Sequence, residues 1–215
     1  MKLDFEVRTA TIADVKTIHD VTMAAFEEYR DTLAPSSALA ETPPATLAAL
    51  MDGGQRAAIG FIHNVGVAVI RFSIDEGLHF SRLSVLPEYQ GRGIATGMLV
   101  WLEEYARQHG ETRMWCQVRK AVARNVYLYE SRGYIITREE TYTRPNGVEF
   151  QVLTMEKNLS VAKATAYCEA DESFLSVEDA HRPAERDLEV AEDVKKATSD
   201  FMDQYDSTLR KLKDK

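Results

Sequence analysis

The residues of this chain whose types and spacing could do chemistry cluster between Leu83 and Tyr134. Gln90-Gly91-Arg92-Gly93-Ile94-Ala95-Thr96 is a glycine-rich turn between the apolar run Leu83-Ser84-Val85-Leu86 and a helix-forming stretch. Such a turn offers unpaired backbone amides at the positive end of a helix dipole, an arrangement that binds phosphate or pyrophosphate. Tyr129 lies in Asn125-Val126-Tyr127-Leu128-Tyr129-Glu130, on a short helix ended by Gly133. A phenol there can protonate a leaving group as general acid, or hydrogen-bond it; packing with the hydroxyl on a backbone group is the structural alternative. Asn125 stands four positions before Tyr129 and shares its helical face, whereas Tyr127 lies well around the helix. Together these residues point to a phosphate-bearing cofactor with a phenol near its reactive end.

Other readings of the glycine turn fit less well. A Walker-type loop needs Gly-x-x-x-x-Gly-Lys-Ser/Thr, which the chain lacks. The dinucleotide fingerprint Gly-x-Gly-x-x-Gly is met only loosely, because after Gly91 and Gly93 the next glycine is Gly97, one position late. A plain strand-to-helix turn, with glycines for positive φ, is the bland alternative.

The neighbours narrow the choice. Gln90-Gly91-Arg92-Gly93-Ile94-Ala95 matches Gln/Arg-x-x-Gly-x-Gly/Ala, and with the strand end before it and the Leu128-Tyr129-Glu130…Gly133-Tyr134 block it resembles the GNAT N-acetyltransferase superfamily over residues of about 3–158. The resemblance implies acetyl-CoA as co-substrate and direct attack by an amine acceptor in a ternary complex; the chain's lack of Cys/His metal spacing leaves no metal expected. It implies that Gln90, Gly91, Arg92, Gly93, Ile94, Ala95 and Thr96 cradle the pyrophosphate. The strand residues Leu83, Ser84 and Val85 would pair with the pantetheine arm, as in strand addition. Tyr129 would stand near the thioester sulfur. Many relatives carry an asparagine seven positions before that tyrosine; here the place is Val122, and Asn125 is the candidate to bond the cofactor arm instead. The resemblance places the acceptor pocket at the loop from Tyr29 to Glu41, and Glu28, which leads into it, or another glutamate there could hold or deprotonate a substrate ammonium. His79 is a second candidate base, though a lone strand histidine is more often structural. A module that binds CoA without catalysis, working through its C-terminal helix, is the alternative function.

These residues need a scaffold. Hydrophobic periodicity and turn signals predict a strand at Phe5–Arg8 and a helix capped by Thr11 with Asp14 three residues on. A short helix follows Thr42-Pro43-Pro44, then a hairpin about His63-Asn64-Val65 and a strand Leu78–Leu86. A helix from about Gly93 to His109, a strand Arg113–Val118, a helix Ala123–Arg132 and a final hairpin turning at Pro145-Asn146-Gly147 complete the domain. The fold class expected is α/β (α+β), a mixed, splayed GNAT-like sheet flanked by helices, with an added C-terminal amphipathic helix. The domain spans 1–159 and the appendage 160–215.

Composition bounds the rest. The chain has 215 residues, 45% hydrophobic and 28% charged, as in an ordinary soluble domain. The net charge is −8, of which −5 falls on residues 160–215. An acidic balance argues against nonspecific nucleic-acid binding and weakly favours a cationic acceptor. Cys116 and Cys168 have no metal-ligand spacing, and neither sits in the motifs, so no acyl-enzyme is expected. No apolar run reaches membrane length and Met-Lys-Leu-Asp-Phe-Glu does not read as a signal sequence, so no membrane partner and a cytoplasmic location are expected. Leu188, Ala191, Val194, Thr198, Phe201, Tyr205, Thr208 and Leu212 recur at three- and four-residue steps, so residues 183–213 are expected to form one amphipathic helix. Its stripe could pack on the domain or on a second copy as a homodimer. The acceptor is expected to be a small-molecule or peptide amine.

Overall fold

The computed structural model describes residues 4–32, 36–51 and 54–159. The connector and the striped helix expected over 160–215 lie outside the described residues. The strands are β1 (Phe5–Thr9), β2 (Arg56–Ile62), β3 (Val65–Ile74), β4 (Leu78–Val85), β5 (Arg113–Arg119), β6 (Ile135–Thr143) and β7 (Glu149–Asn158). The helices are α1 (Val15–Phe26), α2 (Pro43–Met51), α3 (Ile94–Gln108) and α4 (Ala123–Ser131). The order of elements is the one expected from the sequence, and the fold is mixed α/β.

Local chemistry sets the element ends. At the start of α1, Thr11 donates from its backbone N–H and its hydroxyl to Asp14 Oδ2, at 2.8 and 2.9 Å. Arg8 clamps the same carboxylate through both terminal nitrogens, each at 2.8 Å. The β2–β3 hairpin turns on His63 and Asn64, both left-handed with φ of 49° and 63°. That is the backbone pattern of a two-residue turn whose twist suits the flanking strands. At the end of α4, the amides of Gly133 and Tyr134 return to the carbonyls of Glu130 and Tyr129, at 2.9 and 3.1 Å. This paired closure needs a left-handed residue, supplied by Gly133 at φ 83°. It fixes where Tyr129 falls on the helix.

The described strands form one sheet in the order β1-β2-β3-β4-β5-β7-β6. Its centre is buried on both faces. Ala57, Ile59 and Val69 pack with Ile18 and Val21 of α1, while the alternate residues Ala58, Ile70 and Phe72 share a core with Met98, Leu99 and Leu102 of α3. Each large side chain so buried contributes ~1.5–3 kcal/mol. Gly97, in the sequence a loose match to a nucleotide motif, is a packing residue instead. A Cβ there would come within 2.8 Å of the Phe5 ring. Buried Glu103 of α3 joins the layers, with Lys157 Nζ of β7 at 2.9 Å and Arg132 Nη2, just past α4, at 3.4 Å.

One feature of the sheet positions the site. All neighbouring strands are antiparallel except β4 and β5, whose parallel pairing runs only from Leu78↔Met114 to Phe80↔Cys116. Beyond that point β4 stays with β3 and β5 stays with β7. The sheet therefore opens into a V. Its arms are Ser81–Val85 on one side and Gln117–Arg119 on the other. A bulge in β4 opposite Val69 and Arg71 coincides with the opening, and Arg82 within it has a φ of 52°. Bulges of this kind re-aim side chains beside functional clefts.

Candidate active site

The glycine turn follows β4 through a short 3-10 turn, Pro87–Tyr89. Gly91 and Gly93 take φ of 71° and 78°, a region that costs other residues about 1–2 kcal/mol. Gly93 caps α3, and the amide of Gly97 bonds its carbonyl at 3.0 Å. Among the described residues, the amides of 91–96 make no turn or cap hydrogen bond to backbone. They stand at the head of a fifteen-residue helix, so the local field favours an anion. A Cβ built on Gly91 or Gly93 meets nothing within 4 Å, so the approach to these amides is open.

Two residues of the turn sit differently from the sequence expectation. The backbone amide of Gln90 is already bonded to Pro87 O at 3.2 Å, and its side chain donates to Val85 O at 3.1 Å. Gln90 thus ties the turn to the end of β4 and does not offer its amide. Arg92 donates to Glu88 O at 2.9 Å and lies over the Tyr89 ring at 5.4 Å, which holds its charge at the outer edge of the turn. Ile94 is buried in the core under the turn, and Ala95 and Thr96 are partly exposed.

From the turn a narrow crevice of about 90 Å³ runs between the end of β4, α3 and α4. Leu83, Val85, Gln90, Ala95, Asn125 and Tyr129 line it. Ser84, the residue between, is buried with its hydroxyl on Arg82 O at 2.9 Å. Leu83, Asn125 and Tyr129 also line a wider cavity of about 570 Å³ between the arms of the V. The two spaces therefore meet at Tyr129.

Tyr129 is buried, with its ring against Phe80 and Tyr134 at 5.6 and 5.9 Å between centroids. Among the described residues its hydroxyl makes no hydrogen bond, so the expected backbone partner of a purely packed tyrosine is missing. Burial, with smaller effects from Cys116 and Tyr134, pushes its pKa well above the usual value of 10. The phenol is therefore neutral and carries its proton at physiological pH. Tyr127 is 73% exposed and faces away.

The candidate bases are placed less favourably. Glu28 lies on the 3-10 turn Glu27–Tyr29 after α1 and is ion-paired with Arg124 of α4, which also bonds the Tyr29 hydroxyl. It borders the crevice and is not part of the wide cavity's described lining. Glu41 lines neither space. It holds Arg71 and, at 3.5 Å, Arg82, and accepts from Thr46 Oγ1 at 3.0 Å. Burial raises its pKa, but Arg71, Thr46 and Arg82 together outweigh that and leave it lowered, so Glu41 is held as a carboxylate and committed to the two arginines. His79 stacks on Trp115 at 4.1 Å, outside both spaces, and burial lowers its pKa. Its placement is that of a structural histidine. Cys116 lines the wide cavity, but burial drives its pKa far up and keeps it a thiol.

The site also contains residues that sequence reasoning missed. Arg82, Arg119 and Arg144 line the wide cavity with Tyr142 and Phe150. Their signal was spread over separate strands, and no spacing rule gathers it.

Known proteins share this fold. Over 85 residues the chain is 29% identical to the [ribosomal protein bS18]-alanine N-acetyltransferase of Haemophilus influenzae. That match covers 39% of this chain and 57% of the relative, so the chain spans little more than half the length of that curated relative. Among solved structures, the ribosomal-protein-S18-alanine N-acetyltransferase of Escherichia coli is similar with a TM-score of 0.59 at 18% identity, over 76% of this chain and 99% of that one. The yncA protein of Salmonella typhimurium, solved with its cofactor acetyl-CoA, matches with a TM-score of 0.60 at 21% identity, over 77% and 99%. The sequence pattern of the acetyltransferase (GNAT) family covers residues 15–134, more than half of the chain, and the protein belongs to that family.

Proposed function

We propose that the chain transfers an acetyl group from acetyl-CoA to an amine that attacks the thioester directly. The observation that carries this reading is a continuous path. Open amides at 91–96 lead through the crevice to a neutral, buried Tyr129 with no other hydrogen bond among the described residues. The residues fit the cofactor: Gly91 and Gly93 leave room for the pyrophosphate, and the arm Leu83–Val85, paired with β3 but not with β5, offers the backbone of its open edge to the pantetheine amides. Arg92 contributes charge at the rim, and Asn125 can bond the arm where it passes Tyr129.

Acetyl-CoA supplies the acyl group. A C–N bond forms at the acceptor and the C–S bond breaks. Tyr129 gives its phenolic proton to the departing sulfur, and the proton shed by the newly acylated nitrogen returns to the tyrosine through water. The acceptor ammonium loses its proton to water before attack. Glu28, paired with Arg124, positions Tyr29 and the mouth of the crevice. Cys116 stays protonated, so no acyl-cysteine step is needed.

The acceptor class is an amine of a small molecule or a peptide; the ribosomal-protein alanine named for the bacterial relatives is one member of that class. Residues 160–215 are an appendage to the catalytic domain of residues 1–159. Calorimetry with CoA, followed by thiol-release assays on an amine panel, tests the proposal. CoA binding with acceptor-dependent thiol release is expected. Binding without transfer to any amine would favour a non-catalytic CoA module, and absent binding would exclude both. Truncation after Leu159 should change oligomeric mass or melting temperature; no change in either would return the segment to a dispensable tail.

A further inference from the structure

We infer that the acceptor amine carries its own carboxylate, held by Arg119 and Arg144, so that the substrate class is amino-acid-like rather than polycationic. This rests on the reading of the wide cavity as the acceptor site. Although the whole chain is acidic, with a net charge of −8, the lining of the cavity among the described residues includes Arg82, Arg119 and Arg144 and no Asp or Glu. Arg119 ends β5 and Arg144 follows β6, yet their guanidinium carbons lie 5.0 and 5.6 Å from the centre of the same ring, Phe150. Two like charges thus border one aromatic ring and act on each other.

The electrostatics bear on this arrangement. Burial lowers the pKa of Arg119, and the charge of Arg144 lowers it further. A carboxylate bonded to either guanidinium lowers the cost of holding that charge in the cavity wall. A guanidinium has five N–H donors in a planar fork matched to a carboxylate, so neither arginine needs to be without other partners to accept one. Arg82 adds less, because Glu41 offsets its charge.

The same field has a second effect. Positive walls disfavour an ammonium and so lower the pKa of the acceptor amine. More of it is then neutral and nucleophilic at physiological pH, in a cavity whose described lining has no carboxylate to act as base. A polyamine would bring further positive charge against these walls. Phe150 and Tyr142, stacked at 5.8 Å, offer an apolar surface to the body of the acceptor.

The test uses the full chain and matched pairs, each α-amino acid against its carboxamide, with spermidine as the polycation. Thiol release should favour the acid of at least one pair by about 10-fold or more in kcat/KM, as expected for hydrogen bonds to a charged group. Arg144→Ala should remove most of that preference by raising the acceptor KM, with the KM for acetyl-CoA unchanged. Arg144→Lys should restore part of it, and Arg119→Ala should act like Arg144→Ala. Equal use of acid and amide, preference for spermidine, or a rise in the acetyl-CoA KM would overturn the inference. Titration with N-acetylated amino acids and their amides, with and without CoA, reads the arginine pair even if no transfer occurs. Equal affinity there would overturn the carboxylate site and leave the acetyl-CoA reading standing. Absent CoA binding with an intact acid preference would do the reverse.

Discussion

Residues 90–96 make the glycine turn from one contiguous run, whereas the wide cavity gathers Phe26 and Tyr29 from the end of α1, Arg82 from β4, Arg119 from β5 and Arg144 from the turn after β6. The turn works through backbone amides, whose placement follows from two left-handed glycines and a helix start. The cavity works through side chains, whose placement follows from the split between β4 and β5 and the bulge at Arg82. The difference teaches that a cofactor site made of backbone can be carried by a short motif, while an acceptor site made of converging side chains is free to vary with every strand that borders it. Tyr129 belongs to both, since it closes the crevice and faces the cavity.

Tyr129→Phe is the sharpest cut at that junction. The ring remains to pack on Phe80 and Tyr134, so only the phenolic proton is lost. Turnover should fall by about 10²-fold, the low end for a positioned acid, with CoA affinity within about twofold of wild type. Because burial holds the phenol protonated well above pH 10, the wild type should show no loss of kcat from this group between pH 7 and 9. Equal turnover in the phenylalanine variant, measured by thiol release, would return Tyr129 to a packing role.

Gly93→Asp cuts the turn alone. The residue has a φ of 78°, and the new carboxylate would stand beside the open amides of 91–96. A strain of about 1–2 kcal/mol and an added repulsion for phosphate should together weaken CoA binding by at least about 30-fold in calorimetry. The acid-over-amide preference of the cavity should survive. If that preference disappears as well, the two regions are not separable.

The same contrast decides what was legible in the sequence. The turn, the tyrosine helix and the order of elements were readable because each rests on a local signal: Gly91 and Gly93, the cap at Thr11 and Asp14, the stop at Gly133. The use of Gln90 as a tie to Val85 was not, because the sequence places that amide with its neighbours and only the 3-10 turn at Pro87–Tyr89 removes it. Glu41 lies in the expected acceptor loop, yet its partners Arg71 and Arg82 are 30 or more positions away. The arginine pair on Phe150 joins β5 to the β6–β7 turn, and β7 enters the sheet between its predecessors. Nothing in local periodicity specifies such an insertion.

A smaller effect is expected where α1 meets α4. Glu28, Arg124 and the Tyr29 hydroxyl form one bonded group at the border of turn side and cavity side. If Glu28 acts only by positioning, Glu28→Gln and Arg124→Ala should each lower kcat/KM by up to about fivefold, the range of an exposed ion pair, without shifting the pH profile. A change in the pH profile confined to Glu28→Gln would make it the base.

The smallest effect should come from Asp14, far from both regions. It starts α1, whose other end delivers Phe26 and Tyr29 to the cavity. The Arg8 guanidinium, hydrogen-bonded to it, holds its pKa at about 2, below the ordinary 3.8. A carboxyl whose pKa is depressed by folding adds stability above its unfolded value and loses it as pH falls through the folded one. The contribution is therefore full near neutrality, fades between about pH 4 and pH 2, and is absent below that. Arg8 is half exposed, so solvent screening reduces the pair to ~1 kcal/mol. Asp14→Asn should lower the unfolding free energy from denaturant titration by that amount at pH 7, and roughly half of the difference should be gone at pH 3. CoA affinity should not move, because the turn is held by its own glycines and by Gln90. A loss of CoA affinity in step with stability would show that the turn depends on the rest of the fold as heavily as the cavity does.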